Sequence, residues 1–119
     1  MDKSQIQDYL DKQINFIKSL NRSSESINQI YDNLLNTRNL KNNIFLMGNG
    51  GSASTASHFT ADLLKTSIVE NENRFSAFSL VDNIPVILAW ANDVGYENIF
   101  LGQLKNLLKQ GDIVIGFSG

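Results

Sequence analysis

A short apolar run that leads directly into a glycine-rich loop constrains the fold of this chain more than any other feature. The run is Ile44–Met47, and the loop is Gly48–Ser52. A continuous apolar run of this length is typical of a strand that is buried on both faces, as in a parallel sheet. A helical pattern follows the loop as far as about Lys65. The sequence therefore predicts a strand–loop–helix unit, in which the loop backbone and the helix dipole can hold an anion.

The alternation of strand and helix continues towards the end of the chain. The predicted elements are a strand over Phe75–Leu80, a helix that has Pro85 in its first turn and covers Val86–Trp90, a turn at Asn92–Gly95, a helix from Ile99 to Leu108 that Gly111 ends, and a buried strand over Asp112–Phe117. Strands that alternate with helices favour a parallel sheet with right-handed crossovers. Because ligands bind at the carboxyl ends of such strands, the residues that follow each strand are candidates for a site.

The beginning of the chain has a different pattern, which predicts two helices. Apolar residues recur at spacings of three and four, so each helix carries one apolar stripe. The stripes consist of Ile6, Tyr9, Leu10, Ile14, Ile17 and Leu20, and then of Ile27, Ile30, Tyr31, Leu34 and Leu35. A polar break at Asn21–Ser24 separates them, and Ser23 or Ser24 can cap the second helix. We therefore divide the chain into a helical segment, residues 1–40, and an α/β unit, residues 41–119.

The composition excludes several classes of function. The 119 residues allow one domain with one core. The formal net charge is −2 and the Lys and Arg residues do not cluster, which argues against a nucleic acid or an anionic membrane as partner. No apolar stretch is long enough to span a bilayer. Cysteine is absent and the N-terminus does not resemble a signal peptide, so we expect a cytoplasmic protein.

One pair of ionisable residues lies on the helix after the loop. His58 and Asp62 are four residues apart, so their side chains point the same way. The apolar residues of this helix, which fall on the opposite face, are Ala56, Phe59, Leu63 and Leu64. The pair can share a divalent metal or act in proton transfer, but on spacing alone a solvated helix face is the simpler interpretation. His58 is the only histidine of the chain, so a metal would need further ligands from elsewhere.

The glycine loop fits the known nucleotide motifs poorly. No Lys-Ser or Lys-Thr follows the glycines, so the Walker pattern is absent. Gly48, Gly50 and Ala53 fit a dinucleotide loop loosely, and Asp82 after the second strand could then bind a ribose. A plain tight turn is the alternative.

Polar residues also lie near the ends of the later strands. Asn92 and Asp93 could contact sugar hydroxyls, but both residue types are common turn formers. Ser118 ends the third strand and can donate a hydroxyl hydrogen bond to a phosphate.

Four segments of the chain, in order, resemble the phosphoheptose isomerase family. They are Gly48–Phe59, Ser79–Pro85, Ala91–Tyr96 and Gly111–Ser118. The resemblance implies the sugar isomerase (SIS) fold, a doubly wound parallel sheet in a flavodoxin-like three-layer sandwich, here preceded by two helices. It also implies a homotetramer whose sites are shared between subunits. Since the chain stops where the family's phosphate loop begins, we expect residues 41–119 to be the first half of a truncated SIS domain.

The resemblance implies roles for individual residues. Asp62 and His58 would be catalytic and would also bind a zinc ion. The family commonly has Glu where this chain has Asp62, so the carboxylate reaches one methylene less far. The residues that would bind the substrate are Asn49, Gly50, Gly51, Ser52, Asn92, Asp93, Ser118 and Gly119, of which the last two begin the phosphate loop.

The function implied by the resemblance is a ketose–aldose isomerisation. Family members convert sedoheptulose 7-phosphate to D-glycero-D-manno-heptose 7-phosphate through an enediol, for the heptoses of bacterial surface glycans. Two alternatives stay open: a non-catalytic relative that binds a protein, as a replication-initiator-associating member does, and a nucleotide-binding α/β domain. We expect the 119-residue chain alone to lack isomerase activity and to bind metal weakly, because two ligands do not complete a zinc site.

Overall fold

The computed structural model describes residues 2–119, which form two compact units. The first unit runs to Leu34 and the second from Leu35 to Gly119. None of the helices in residues 2–119 combines the length and the apolar character that a membrane crossing requires.

Two helices occupy the N-terminal segment, as the sequence predicts. They are α1, Lys3–Ser19, and α2, Ser24–Asn39. A capping box begins α1, in which the Asp2 carboxylate accepts hydrogen bonds from the backbone N–H groups of Ser4 and Gln5. The side-chain oxygen of Gln5 in turn accepts from the Asp2 N–H at 2.9 Å. These bonds satisfy backbone N–H groups at the start of the helix, which have no carbonyl partner within the helix.

The polar break between these helices is itself helical. Leu20–Ser23 form a 3₁₀ turn that leads directly into α2. Ser24 has helical backbone angles, with φ −57° and ψ −38°. An N-cap residue needs a non-helical backbone, so the cap predicted at Ser24 is wrong, and the alternative, Ser23, lies within the 3₁₀ turn.

The apolar stripe of α1, and that of α2 as far as Tyr31, is exposed in this chain. Its members keep between 42% and 63% of their surface accessible; they are Ile6, Tyr9, Leu10, Ile14, Ile17, Leu20, Ile27, Ile30 and Tyr31. Contiguous exposed apolar surface of this kind is a feature of interaction sites.

Three parallel strands form one sheet in the order β2-β1-β3. The strands are β1, Asn43–Gly48, β2, Ser76–Ser79, and β3, Ile113–Phe117. Strand β1 lies in the centre, and its residues 44–46 are at most 2% exposed. The buried strand predicted there is confirmed, and so is the α/β fold with a parallel sheet.

Strand β3 is less buried than the sequence predicts. Its residues alternate between half-buried and exposed, and Val114 is 36% exposed. Within residues 2–119, β3 is an edge strand that pairs only with β1. The prediction of a buried strand is therefore wrong for this chain, because an edge strand has a neighbour on one side only.

Helices connect the strands and cover the sheet. The remaining elements are α3, Gly51–Ala61, a π turn, Asp62–Thr66, that continues it, α4, Ile84–Asp93, a 3₁₀ turn, Tyr96–Asn98, and α5, Leu101–Leu107. Pro85 lies in the first turn of α4 as predicted, where its missing N–H is not needed. The Asn83 side chain caps this helix by accepting from the N–H of Val86 at 3.3 Å.

Helix α4 extends further than predicted. Asn92 and Asp93 form its last turn, not a turn that follows it. The reason is that the N–H groups of Val94 and Gly95 both donate to the carbonyl of Trp90, at 3.1 and 3.2 Å. Gly95 then ends the helix with φ 112°, a conformation that favours glycine.

The end of α5 also differs from the prediction. The helix stops at Leu107, because Leu108 has an extended backbone with φ −70° and ψ 134°. Gly111, where the sequence predicts the end of the helix, instead forms the turn into β3 with φ 93°.

Close packing between α4 and α5 fixes the carboxyl end of β2. A Cβ atom at Gly102 would lie 2.2 Å from the indole ring of Trp90, so only glycine allows this approach. The buried amide of the adjacent Gln103 donates to the carbonyls of Ile99 and Leu80, at 2.7 and 3.0 Å. Since Leu80 directly follows β2, the helix pair anchors the end of that strand.

At the opposite end of the sheet, Asp112 joins β1 to β3. Its carboxylate accepts from the backbone N–H groups of Asn43 and Lys109, at 2.8 and 2.9 Å. Burial by itself raises the pKa of the Asp112 carboxyl, but these donors and the Lys109 charge outweigh it and hold the pKa below the ordinary value of 3.8.

We expect Asp112→Ala to lower the free energy of unfolding by about 1–3 kcal/mol at pH 7. A carboxyl whose pKa is lower in the folded state stabilises the fold above its unfolded pKa, and this contribution is lost as the pH falls through the lowered value. Urea unfolding at pH 7 and below pH 3.8 should therefore show a difference between variant and wild type that shrinks in acid. Asp32→Ala, on the exposed side of α2, is the matched control. An equal difference at both pH values would contradict this account.

Candidate functional site

The glycine loop is tight on its inner side and open on its outer side. A Cβ atom at Gly48 would lie 2.6 Å from the backbone of Ser52, so the strand end and the helix start touch. Gly50 has φ 56° and ψ −122°, which residues with a side chain rarely adopt. Cβ atoms at Gly50 and Gly51 would meet no atom within 4 Å. The loop can therefore bring its backbone amides close to a ligand.

The ends of β1 and β3 lie side by side. Gly48 pairs with Phe117 in the parallel register, so Asn49 and Ser118 each follow at the same edge of the sheet. In the sheet, β2 lies on one side of β1 and β3 on the other, so the direction in which the chain adds strands reverses after β2. Such a reversal opens a crevice at the carboxyl ends of the strands, where ligands of doubly wound folds bind. The structure thus brings together the loop and the end of β3, two of the predicted substrate segments.

The predicted substrate residues at the end of α4, Asn92 and Asp93, lie close in sequence to a tyrosine that contacts the glycine loop. Asn92 and Asp93 are exposed, and the Asn92 side chain donates to the Asp93 carboxylate at 2.8 Å. Tyr96, shortly after them, donates from its hydroxyl to Oδ1 of Asn49 at 2.7 Å. Tyr96 ends the Ala91–Tyr96 segment of the resemblance, but neither helical nor strand spacing relates it to residue 49.

His58 and Asp62 form a pair on the outer face of α3. Their Nε2 and Oδ2 atoms are 3.7 Å apart, and the side chains are 81% and 45% exposed. The face of the helix that packs on the sheet carries Ala56, Thr60 and Leu63. The two residues therefore lie away from the core, as their spacing predicts.

Leu64 does not belong to the buried face of this helix. It is 48% exposed, although its spacing placed it on the apolar stripe. The π turn at Asp62–Thr66 explains the error, since its wider turn shifts the phase of the residues within it.

The π turn also orients the Asp62 carboxylate. The Asp62 carbonyl accepts from the Ser67 N–H at 2.9 Å, and Oδ1 of its side chain accepts from the Thr66 hydroxyl at 3.0 Å. The other oxygen, Oδ2, is the one that faces His58. Single π turns within helices are frequent at functional sites.

Comparisons with known proteins place the chain in context. A phosphoheptose isomerase of Helicobacter pylori (strain ATCC 700392 / 26695) is 40% identical over 101 residues, which cover 85% of this chain and 52% of that protein. The structure of the phosphoheptose isomerase GmhA from Neisseria gonorrhoeae aligns with a TM-score of 0.73 at 24% identity, over 95% of this chain and 60% of that one. The chain is similar to phosphoheptose isomerases over 85% of its length. The resemblance recognised in its four segments is confirmed, and the GmhA structure shows that the fold is shared.

These comparisons cover only part of each relative. The chain spans about half the length of the curated relatives it matches. The lincomycin biosynthesis protein LmbN of Streptomyces lincolnensis is also similar, with 44% identity over 71 residues, 60% of this chain and 26% of that protein. No protein-family model matches the chain.

The described residues supply part of the donor set that the zinc ion expected from the resemblance needs. His58 and Asp62 are of the right types, an imidazole nitrogen and a carboxylate oxygen, and they lie on one helix face. Zinc takes three or four protein ligands, and no group of three His, Cys, Asp or Glu side chains is arranged for a metal ion within residues 2–119. The described chain therefore offers two ligands, and zinc binding stays a proposal.

Proposed function

We propose that the whole protein containing this sequence is a phosphosugar isomerase that interconverts sedoheptulose 7-phosphate and D-glycero-D-manno-heptose 7-phosphate. The observation that best supports it is that the helix carrying the His58–Asp62 pair begins in the glycine loop, which follows β1 beside the carboxyl end of β3. An anion-binding loop and an accessible carboxylate are the two elements that this reaction requires. The names of the relatives support the same function.

The loop and the end of β3 would bind the phosphosugar. Backbone amides at Gly50 and Gly51 and the hydroxyl of Ser118 can donate to oxygens of the ligand, and the dipole of α3 favours a negative charge there. Asn49, Ser52, Gly119 and the Asn92–Asp93 pair belong to the same proposed site. Binding of the phosphate supplies energy that orients the reacting end of the sugar.

Asp62 would transfer the proton between the two carbons. In the ketose, the carboxylate takes a proton from C1 while O2 gains one, which gives the enediol. The carboxyl then delivers its proton to C2 while O1 loses one, which gives the aldose with no net gain or loss of protons. The hydrogen bond from the Thr66 hydroxyl to Oδ1 fixes the orientation of the carboxylate.

A zinc ion would be held by the His58 imidazole and the Asp62 carboxylate, together with ligands from outside residues 2–119. When bound, it would polarise the substrate carbonyl and stabilise the developing negative charge on oxygen. Because the ligand set would be completed from elsewhere, we propose that the pair faces a cleft at a subunit boundary.

We also propose that the protein is a cytoplasmic homo-oligomer, with the tetramer of the resembled family as the expected form. The exposed apolar stripes of α1 and α2 support association, because such surface is costly to leave in water. A chain without cysteine suits a reducing compartment.

The activity can be tested with the purified whole protein and sedoheptulose 7-phosphate in deuterated water. We expect formation of the aldose phosphate with deuterium at C2, because a carboxyl proton exchanges with solvent between the two transfers. Fructose 6-phosphate, a shorter ketose phosphate, is the comparison substrate. Metal-loaded protein that neither converts the heptulose phosphate nor exchanges its C1 protons would overturn the proposed function.

A further inference from the structure

One hydrogen bond ties the turn after α4 to the glycine loop. The Tyr96 hydroxyl donates to Oδ1 of Asn49 at 2.7 Å, across 47 positions of sequence. Tyr96 is 59% exposed, so its ring is not held in place by burial in a core. An exposed tyrosine contributes little to packing, and the hydrogen bond of this one reaches a residue of the proposed site.

The turn that carries Tyr96 has a fixed conformation. Gly95 has φ 112° and ψ 150°, which a residue with a side chain would adopt only under strain. Its N–H donates to the Trp90 carbonyl at 3.2 Å, and its own carbonyl accepts from Asn98 at 3.0 Å. The backbone next to Tyr96 is therefore anchored on both sides, and the anchor Trp90 is packed against Gly102.

The bond determines which part of the Asn49 amide is available to a ligand. Because Oδ1 accepts from the tyrosine hydroxyl, the Nδ2 group is left with its two donors. A hydroxyl, carbonyl or phosphate oxygen of a ligand can accept from Nδ2. Without the tyrosine hydroxyl, the amide could rotate and present its oxygen, which would repel such an acceptor.

We infer that Tyr96 is a positioning residue, which orients the Asn49 amide so that Nδ2 donates to an oxygen of the sugar phosphate. The inference rests on the proposed function, because it needs Asn49 to contact the substrate. Tyr96 itself need not touch the substrate.

A double-mutant cycle in the whole protein tests this role. Tyr96→Phe removes only the hydroxyl, and we expect it to lower kcat/KM for the phosphosugar about 3- to 10-fold, mainly through KM. In the Asn49→Ala background, Tyr96→Phe should have no further effect, because the group on which it acts is gone. Asn49→Asp keeps the acceptor for Tyr96 but lacks the donors, so it should be as impaired as Asn49→Ala. Ser26→Ala, which removes an exposed hydroxyl of α2 outside its apolar stripe, is the control, and thermal unfolding checks that each variant folds.

The possible results separate the inference from the proposed function. An equal effect of Tyr96→Phe in both backgrounds, or no effect in the wild type, would overturn the positioning role while leaving the isomerase intact. Full activity of Asn49→Asp would overturn the donor role of Nδ2. Full activity of Asn49→Ala would remove Asn49 from the proposed site, and the inference with it.

Discussion

Replacement of Asp62 by Asn is expected to reduce turnover of the phosphosugar by the whole protein about 100- to 10,000-fold, the range typical of losing a general base. The fold should persist, because the side chain lies on the outer face of α3 and an amide oxygen can still accept from the Thr66 hydroxyl. The amide cannot take up a proton from carbon, so the loss should fall on kcat. Solvent exchange at C1 of the substrate should fall in parallel.

The controls separate proton transfer from metal binding. Asp62→Glu restores the length usual in the resembled family and retains the charge, so it should keep far more activity than Asp62→Asn. Asp32→Asn, an exposed carboxylate on α2, should change nothing. Metal content is measured on each variant and on His58→Ala, which removes the neighbouring ligand but not the carboxylate. Near-normal turnover by Asp62→Asn would show that the base lies elsewhere.

Strand β1 and its loop could be predicted because several local signals agree there. An apolar run with no polar interruption predicts a central strand, and glycines directly after it predict a tight turn into a helix. The helix stripe likewise indicated that His58 and Asp62 would face away from the sheet. Each of these inferences depends only on residues close together in the sequence.

The predictions from sequence are wrong or incomplete where contacts between distant residues, or a local change in helix type, determine the structure. The end of α4 was misplaced because Asn and Asp favour turns, yet Trp90 accepts from two N–H groups beyond them. The π turn places Leu64 outside the buried face, and the sequence pattern does not predict a π turn. The contact of Tyr96 with Asn49 depends on how α4 and α5 return to the sheet, so it is visible only in the fold.

Substitution of Gly48 by Ala is expected to have the second large effect, because it forces apart the strand and the helix that form the proposed site. The new methyl group would lie 2.6 Å from the carbonyl carbon and oxygen of Ser52, which are backbone atoms that cannot rotate away. Overpacking of this kind costs about 1–3 kcal/mol, and we expect the upper end of that range in urea unfolding. Displacement of the loop by even about 1 Å should lower turnover about 100-fold.

Gly51→Ala is the matched control for this experiment, since it adds the same methyl group three residues further on. There the methyl group meets no atom within 4 Å, and alanine is the better helix former at the start of α3. Its stability should equal or exceed that of the wild type, while its affinity for the phosphosugar should fall, because the open space it fills is the side from which a ligand approaches the amides. Equal destabilisation by the two substitutions would show that contact with Ser52 is not what requires glycine at position 48. Unchanged affinity in Gly51→Ala would show that the ligand does not approach the loop from its open side.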